Sequence, residues 1–183
     1  MKPYPMMRLL LALVLVASFG CASGQRGGSV VLDLASLLNG TWQVEGSDLR
    51  LRISSTGSAL SGGAYNLFAV ATGQAGGRTV NERAVIFVEQ ESGGVEVSVV
   101  PRFDPAVTEL SDVTEASQAE LNAACTFTLR PTQTGYSGQT RGGETCVRAV
   151  QGAVGQWNIE VSRETLRLYQ AGGQQLVFRR AGD

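Results

Sequence analysis

The chain has 183 residues, with 15 basic and 16 acidic side chains, 23 glycines and no histidine. Without histidine there is no Ser–His or Cys–His nucleophile pair and no imidazole metal site. A nearly balanced charge with no basic run gives no electrostatic footprint for nucleic acid.

The N-terminus reads MKPYPMMRLLLALVLVASFGC. Lys2 and Arg8 form a short positive region. The apolar run Leu9 to Phe19 is too short to span a bilayer comfortably and ends in small residues, the pattern of a cleaved secretory signal over residues 1–20. Ser18-Phe19-Gly20-Cys21 resembles the lipobox of bacterial lipoproteins, which implies lipidation of Cys21; an ordinary signal peptidase site is the alternative. Acyl chains on Cys21 would hold the protein stably on a membrane. Ala22 stands where an inner-membrane retention signal places Asp, so the resemblance implies the outer membrane. Lys2 is the sole lysine, and its loss with the leader excludes Schiff-base chemistry.

Residues 21–30, small and polar, read as a flexible tether, and 31–183 as one domain. Val31 to Gly40 (VLDLASLLNG) has apolar residues at 32, 34, 37 and 38, enough for one or two helical turns. The dominant period thereafter is two. TWQVEG and LRLRIS form a hairpin across GSD, with the leucines and Ile53 inward and Arg50 and Arg52 outward. Further strand-like runs are AYNLFAVAT, RTVNERAVIFVEQ, GVEVSVVPRF, CTFTLRPT, GYSGQT, TCVRAV, QWNIEVS, ETLRLYQ and QQLVFRR. Residues 104–124 break the pattern, with a short helix expected around 114–122. An all-β chain of about ten strands in sequence order predicts an antiparallel meander. Closure into a single barrel removes its edges, and a two-sheet sandwich is the alternative. Outward Arg and Glu and the lack of aromatic girdles argue against a transmembrane barrel.

Gly40-Thr41-Trp42 at the entry to the first strand resembles the mark of lipocalin-like, calycin-type barrels. In those, an arginine of the last strand packs over the tryptophan, here Arg179 or Arg180. Trp42 would then line a ligand cup or simply fill the barrel end. Cys125, Tyr136-Ser137-Gly138, Cys146, Gly152 and Glu160 are spaced as in the C-terminal half of the CpcT/CpeT chromophore lyase family. VIFVEQ (85–90) and LLNGTW resemble further parts of that family. The resemblance implies a calyx-shaped antiparallel barrel, a tetrapyrrole or other small apolar ligand, and at most a bilin lyase activity.

Cys125 and Cys146 are not spaced as a zinc site, and metal binding would need carboxylate donors. An exported compartment favours a disulfide between them, with free or redox-active thiols as the alternative. Glu89 and Glu91 are a candidate acid/base pair or a solvated strand face. Arg148, Arg163 and Arg167 are candidates for an anionic ligand. Tyr136, Trp157 and Tyr169 are the aromatics expected to meet a cavity, with core packing as the other role for each. The expected partners are a membrane through the anchor, a small-molecule ligand and a second copy in a homodimer. The leading function is a non-catalytic binder. A structural envelope lipoprotein with a filled barrel is the alternative.

Overall fold

A computed structural model describes residues 26–59, 64–75, 77–140, 156–170, 173 and 175–182. Ten antiparallel strands close into one barrel. They are β1 (Gly40–Val44), β2 (Arg50–Ala59), β3 (Tyr65–Ala75), β4 (Arg78–Glu91) and β5 (Gly94–Arg102), then β6 (Cys125–Pro131), β7 (Gly135–Thr140), β8 (Asn158–Ser162), β9 (Thr165–Tyr169) and β10 (Gln175–Arg180). Each pairs with its neighbours in sequence, and β10 returns to pair with β1, setting Trp42 opposite Arg180. The expected run TCVRAV lies outside the described residues.

Helix α1 (Arg26–Leu38) precedes the barrel. It begins inside the stretch read as a tether, so residues 26–30 are helical. Each residue added to a helix already anchored by packing gains a backbone hydrogen bond without a new nucleation cost, so α1 can extend N-terminal to Val31. Its buried stripe is Val31, Leu34, Ala35 and Leu38, the i, i+3, i+4, i+7 set. The helix touches β3 and β4 on one side of the barrel and β7 and β8 on the other. It therefore lies across one end, hereafter the helix end, where β10 finishes and β1 begins.

The long connection after β5 leaves from the far end. It carries a 3-10 turn (Leu110–Asp112) and helix α2 (Gln118–Asn122), shorter than expected because Ser117 starts it with a capping box to Glu120. Val107 of this segment joins Phe68 and Val85 in a second apolar cluster, with Val70, Phe87, Leu110 and Val113 against it. Leu67 and Ala69 belong to the main core, so their neighbours Phe68 and Val70 face outward. The connection thus covers the outer wall of β3 and β4.

A buried ion pair holds that cover in place. Arg102 and Glu120 are 7% and 6% exposed and meet at 3.4 Å (Nη1 to Oε2). Arg102 Nη2 donates to the Thr114 carbonyl at 3.0 Å, and Glu120 Oε1 accepts the Phe103 N–H at 3.0 Å. Glu120 Oε2 accepts from the Ser117 N–H at 2.8 Å and its hydroxyl at 3.0 Å. Burial by itself would raise the Glu120 pKa. The hydrogen bonds from Phe103 and Ser117 and the Arg102 charge outweigh it, and the pKa falls below its ordinary 4.5.

A depressed folded-state pKa means that stability is present above the unfolded value and lost as pH falls through the folded one. Glu120→Gln should therefore cost about 2 kcal/mol near neutral pH, because it leaves Arg102 buried without its counter-charge. The gap from the parent chain should narrow below pH 4.5, which urea titrations at pH 7 and pH 3.5 will measure.

Candidate functional site

At the helix end the barrel is packed solid. Trp42 is wholly buried and donates from Nε1 to the Leu38 carbonyl at 2.9 Å. The Arg180 guanidinium lies 4.2 Å from its ring centroid, so Arg180 rather than Arg179 is the stacking arginine. The same guanidinium donates to the carbonyls of Asn39 (Nη1, 2.7 Å), Arg163 (Nε, 2.6 Å) and Leu37 (Nη2). Gly40 has φ of +132°, a backbone conformation that L side chains rarely adopt, and a Cβ there would overlap Arg180 Nη1. Around this knot Leu34 and Leu38 pack with Tyr65, Leu67, Val88, Val95, Leu129 and Val161 in one continuous core. Tyr136 belongs to this core, and its hydroxyl pKa is raised by burial and by the Asp33 charge.

The far end differs. Register and alternation direct Val44, Leu51, Ala71, Ala84, Val99, Leu168 and Leu176 inward: Val44 pairs with Phe178, Leu51 with Trp42, Ala71 with Leu51 and Ala84 with Ala69. Val99 pairs with the buried Cys125, Leu168 with Ile159, and Leu176 with Leu168. All seven are only partly buried, although they face the interior. An inward apolar side chain meets water only where the barrel opens. Among the described residues, the inward wall of the far end is therefore apolar and partly exposed, above the core and α1.

Glu82 stands on this inner wall. It pairs with Ala71, whose other neighbour is Leu51, so the three share one face. Its carboxyl remains accessible to water, yet the surrounding protein desolvates it enough to raise its pKa.

The sequence candidates divide between the two faces. Trp42, Tyr136 and Trp157 are interior, and Trp157 is fully buried just before β8. Its backbone N–H donates to the Thr140 hydroxyl at 3.0 Å, while its indole Nε1 has no hydrogen-bond partner among the described residues. Glu89, Glu160 and Tyr169 do not line the interior, contrary to expectation. They alternate with the inward residues Val88, Ile159 and Leu168, and a strand's period of two puts them outside. Glu89 is exposed and lies opposite Glu96. Glu160 accepts from the Tyr169 hydroxyl at 2.9 Å and pairs with Arg167 at 3.4 Å, and Arg167 stacks 4.4 Å from the Tyr169 ring. The hydrogen bond to Glu160 and, secondarily, burial raise the Tyr169 pKa, so this is a satisfied surface ladder. Cys125 faces inward opposite Val99 and is disulfide-bonded. Cys21, Cys146 and Arg148 lie outside the described residues.

A shallow groove beside the first hairpin, lined by Gln43, Glu45, Ser47, Asp48 and Arg179, is the other concavity of note. Glu45 and Arg179 pair across it at 2.6 Å, and Asp48 Oδ1 accepts the Gln74 backbone N–H at 3.0 Å.

Glu82 and the partly exposed inner wall escaped the sequence reading. In the AVIFV part of RTVNERAVIFV both faces of β4 are apolar, because the outer one packs against Val107, Leu110 and Val113. The alternation that would have assigned Glu82 to the interior is therefore hidden. Neither family models, curated proteins nor solved structures match the chain.

The two buried indoles make opposite predictions. Trp42→Phe removes a satisfied hydrogen bond and weakens the cation–π stack, whereas Trp157→Phe removes an unpartnered donor. Trp42→Phe should cost about 1–2 kcal/mol more than Trp157→Phe in chemical denaturation.

Proposed function

We propose that the chain is an exported lipoprotein, anchored through Cys21 to the outer membrane, whose barrel binds a small apolar or tetrapyrrole-like ligand without transforming it. The observation that carries this reading is the partly exposed apolar inner wall of the far end. A few polar groups in a mainly apolar concavity are what small-molecule sites present. The CpcT/CpeT resemblance agrees with a ligand of this kind. Chromophore transfer ranks below binding, because the described interior is mainly apolar and its one described cysteine, Cys125, is disulfide-bonded rather than a free thiol nucleophile.

The packed helix end supports a second reading, a structural envelope lipoprotein whose barrel is filled by its own side chains. Adjacent residues of opposite orientation separate the two. In the full chain carrying Cys21→Ala, which needs no detergent, the neutral fluorophore N-phenyl-1-naphthylamine should bind saturably. Ala71→Trp, which fills the interior at the far end, should weaken that binding at least about tenfold, and Thr72→Trp on the outer face should leave it unchanged. No saturable binding, or equal effects of both substitutions, would favour the filled barrel.

The anchor has its own test. Cys21→Ala should move the protein from the membrane fraction to the soluble fraction, and unchanged fractionation would remove the lipoprotein reading.

A further inference from the structure

We infer that the connection between β5 and β6 is an acid-releasable strap. One buried carboxylate, Glu120, staples it over an apolar outer face of β3 to β5, and it opens without opening the barrel.

Strand pairing stops at Arg102 on β5 and resumes at Cys125 on β6, so residues 103–124 contribute no rung to the barrel. What they contribute is cover. Val85 and its partner Val100 alternate to the outer face, yet they are 1% and 5% exposed. Val107, Leu110 and Val113 pack on that face with Phe68, Val70 and Phe87, and α2 packs on β5.

The polar ties of the strap converge on Glu120. Its carboxylate takes the Phe103 N–H where the strap leaves the barrel, and the N–H and hydroxyl of Ser117 where it returns. It also pairs with Arg102, which in turn holds the Thr114 carbonyl. The Arg102 side chain is 4% exposed, and its Nε has no hydrogen-bond partner among the described residues. Glu120 is therefore the counter-charge that lets this cation stay buried. A second carboxylate organises the strap within itself. Asp112 accepts from the Thr108 N–H and hydroxyl and from the Glu109 N–H.

Protonation undoes both knots. A neutral Glu120 leaves Arg102 without its counter-charge, and the guanidinium reaches water when the strap lifts. Arg83 lies opposite Arg102 in register, so the cations left behind are neighbours that repel. The other outward charge of β5, Glu96, sits towards the opposite end of the strand, across from Glu89. Asp104, Glu109 and Glu115 of the strap are exposed, where solvent weakens their interactions. Hydrogen bonds from Thr108 and Glu109 lower the Asp112 pKa from its ordinary 3.8. At Glu120 burial raises the pKa, but the bonds from Phe103 and Ser117 and the Arg102 charge outweigh it. Lowered folded-state values keep the strap fastened above pH 4.5 and release it as pH falls further.

Amide hydrogen exchange in the full chain with Cys21→Ala tests this at pH 7 and pH 3.5, with rates corrected for their intrinsic pH dependence. The N–H groups of Phe103, Thr108, Glu109 and Ser117 report the strap, and those of β3 to β6 report the barrel. Strap protection should lie below barrel protection at pH 7 and fall at least about tenfold by pH 3.5. The near-UV circular dichroism of the buried Trp42 should persist at both pH values. Glu120→Gln should weaken protection at pH 7 and remove most of the acid response at Phe103 and Ser117. Val107→Ala, which loosens the apolar contact and keeps the staple, should weaken strap protection at both pH values and preserve the response. Equal protection of strap and strands at both pH values overturns the inference. So does a full acid response at Phe103 and Ser117 in Glu120→Gln, or loss of the Trp42 signal before strap protection falls. Failure of Glu120→Gln to fold overturns it too, since a cover that opens alone does not hold the barrel closed.

Discussion

Closure of the barrel depends on the Arg180 guanidinium. It comes from the last residue of the last strand, opposite Trp42 of the first, and lies on the indole face. Its N–H groups are spent on carbonyls of Leu37 and Asn39 at the end of α1 and of Arg163 in the β8–β9 turn. A helix C-terminus leaves carbonyls without intrahelical donors and carries partial negative charge, so a cation there is doubly favourable. Trp42 Nε1 takes the Leu38 carbonyl between them. One side chain thus joins the first strand, the last strand, a turn and the helix. Gly40 is required because the guanidinium occupies the place of its Cβ. Lysine could not substitute, since its single ammonium lacks the planar fork that spans these carbonyls while stacking on a ring.

The asymmetry of the barrel follows from that knot. Once α1 is tied across the helix end, its apolar stripe fills the interior there, and Tyr65, Leu129 and Tyr136 meet it. No comparable element lies across the far end among the described residues, so inward apolar side chains there stay partly in water. The one long connection at that end does not turn into the barrel. Its Val107 folds back over the outer wall of β3 and β4, and Arg102–Glu120 fixes its return. β3 and β4 are consequently covered on both faces, while β8 and β9 present a polar ladder to solvent.

Much of this was legible in the chain. LRLRIS gave the orientation of its leucines and arginines because its outer face meets water. Gly40-Thr41-Trp42 announced a barrel entry, and the glycine-rich turns announced a meander. Orientation was legible wherever one face of a strand is solvated. It failed at β4, where VIFV is apolar at every position, and there it concealed Glu82. Glu160 and Tyr169 lie on strands whose outer face is solvated, so their parity with Ile159 and Leu168 already puts them outside, although their residue types imply chemistry.

The sequence by itself determined the strand succession, the all-β class and the aromatic at the barrel entry, because period-two alternation and turn chemistry are local properties. Only the tertiary structure decided that β10 closes on β1, that Arg180 rather than Arg179 meets Trp42, and that α1 packs across one end of the barrel. Those outcomes depend on contacts between segments as far apart as Leu37 and Arg180, which no local pattern encodes. The inward placement of Glu82 belongs with them, since register across several strands determines which face of a doubly covered strand looks into the barrel.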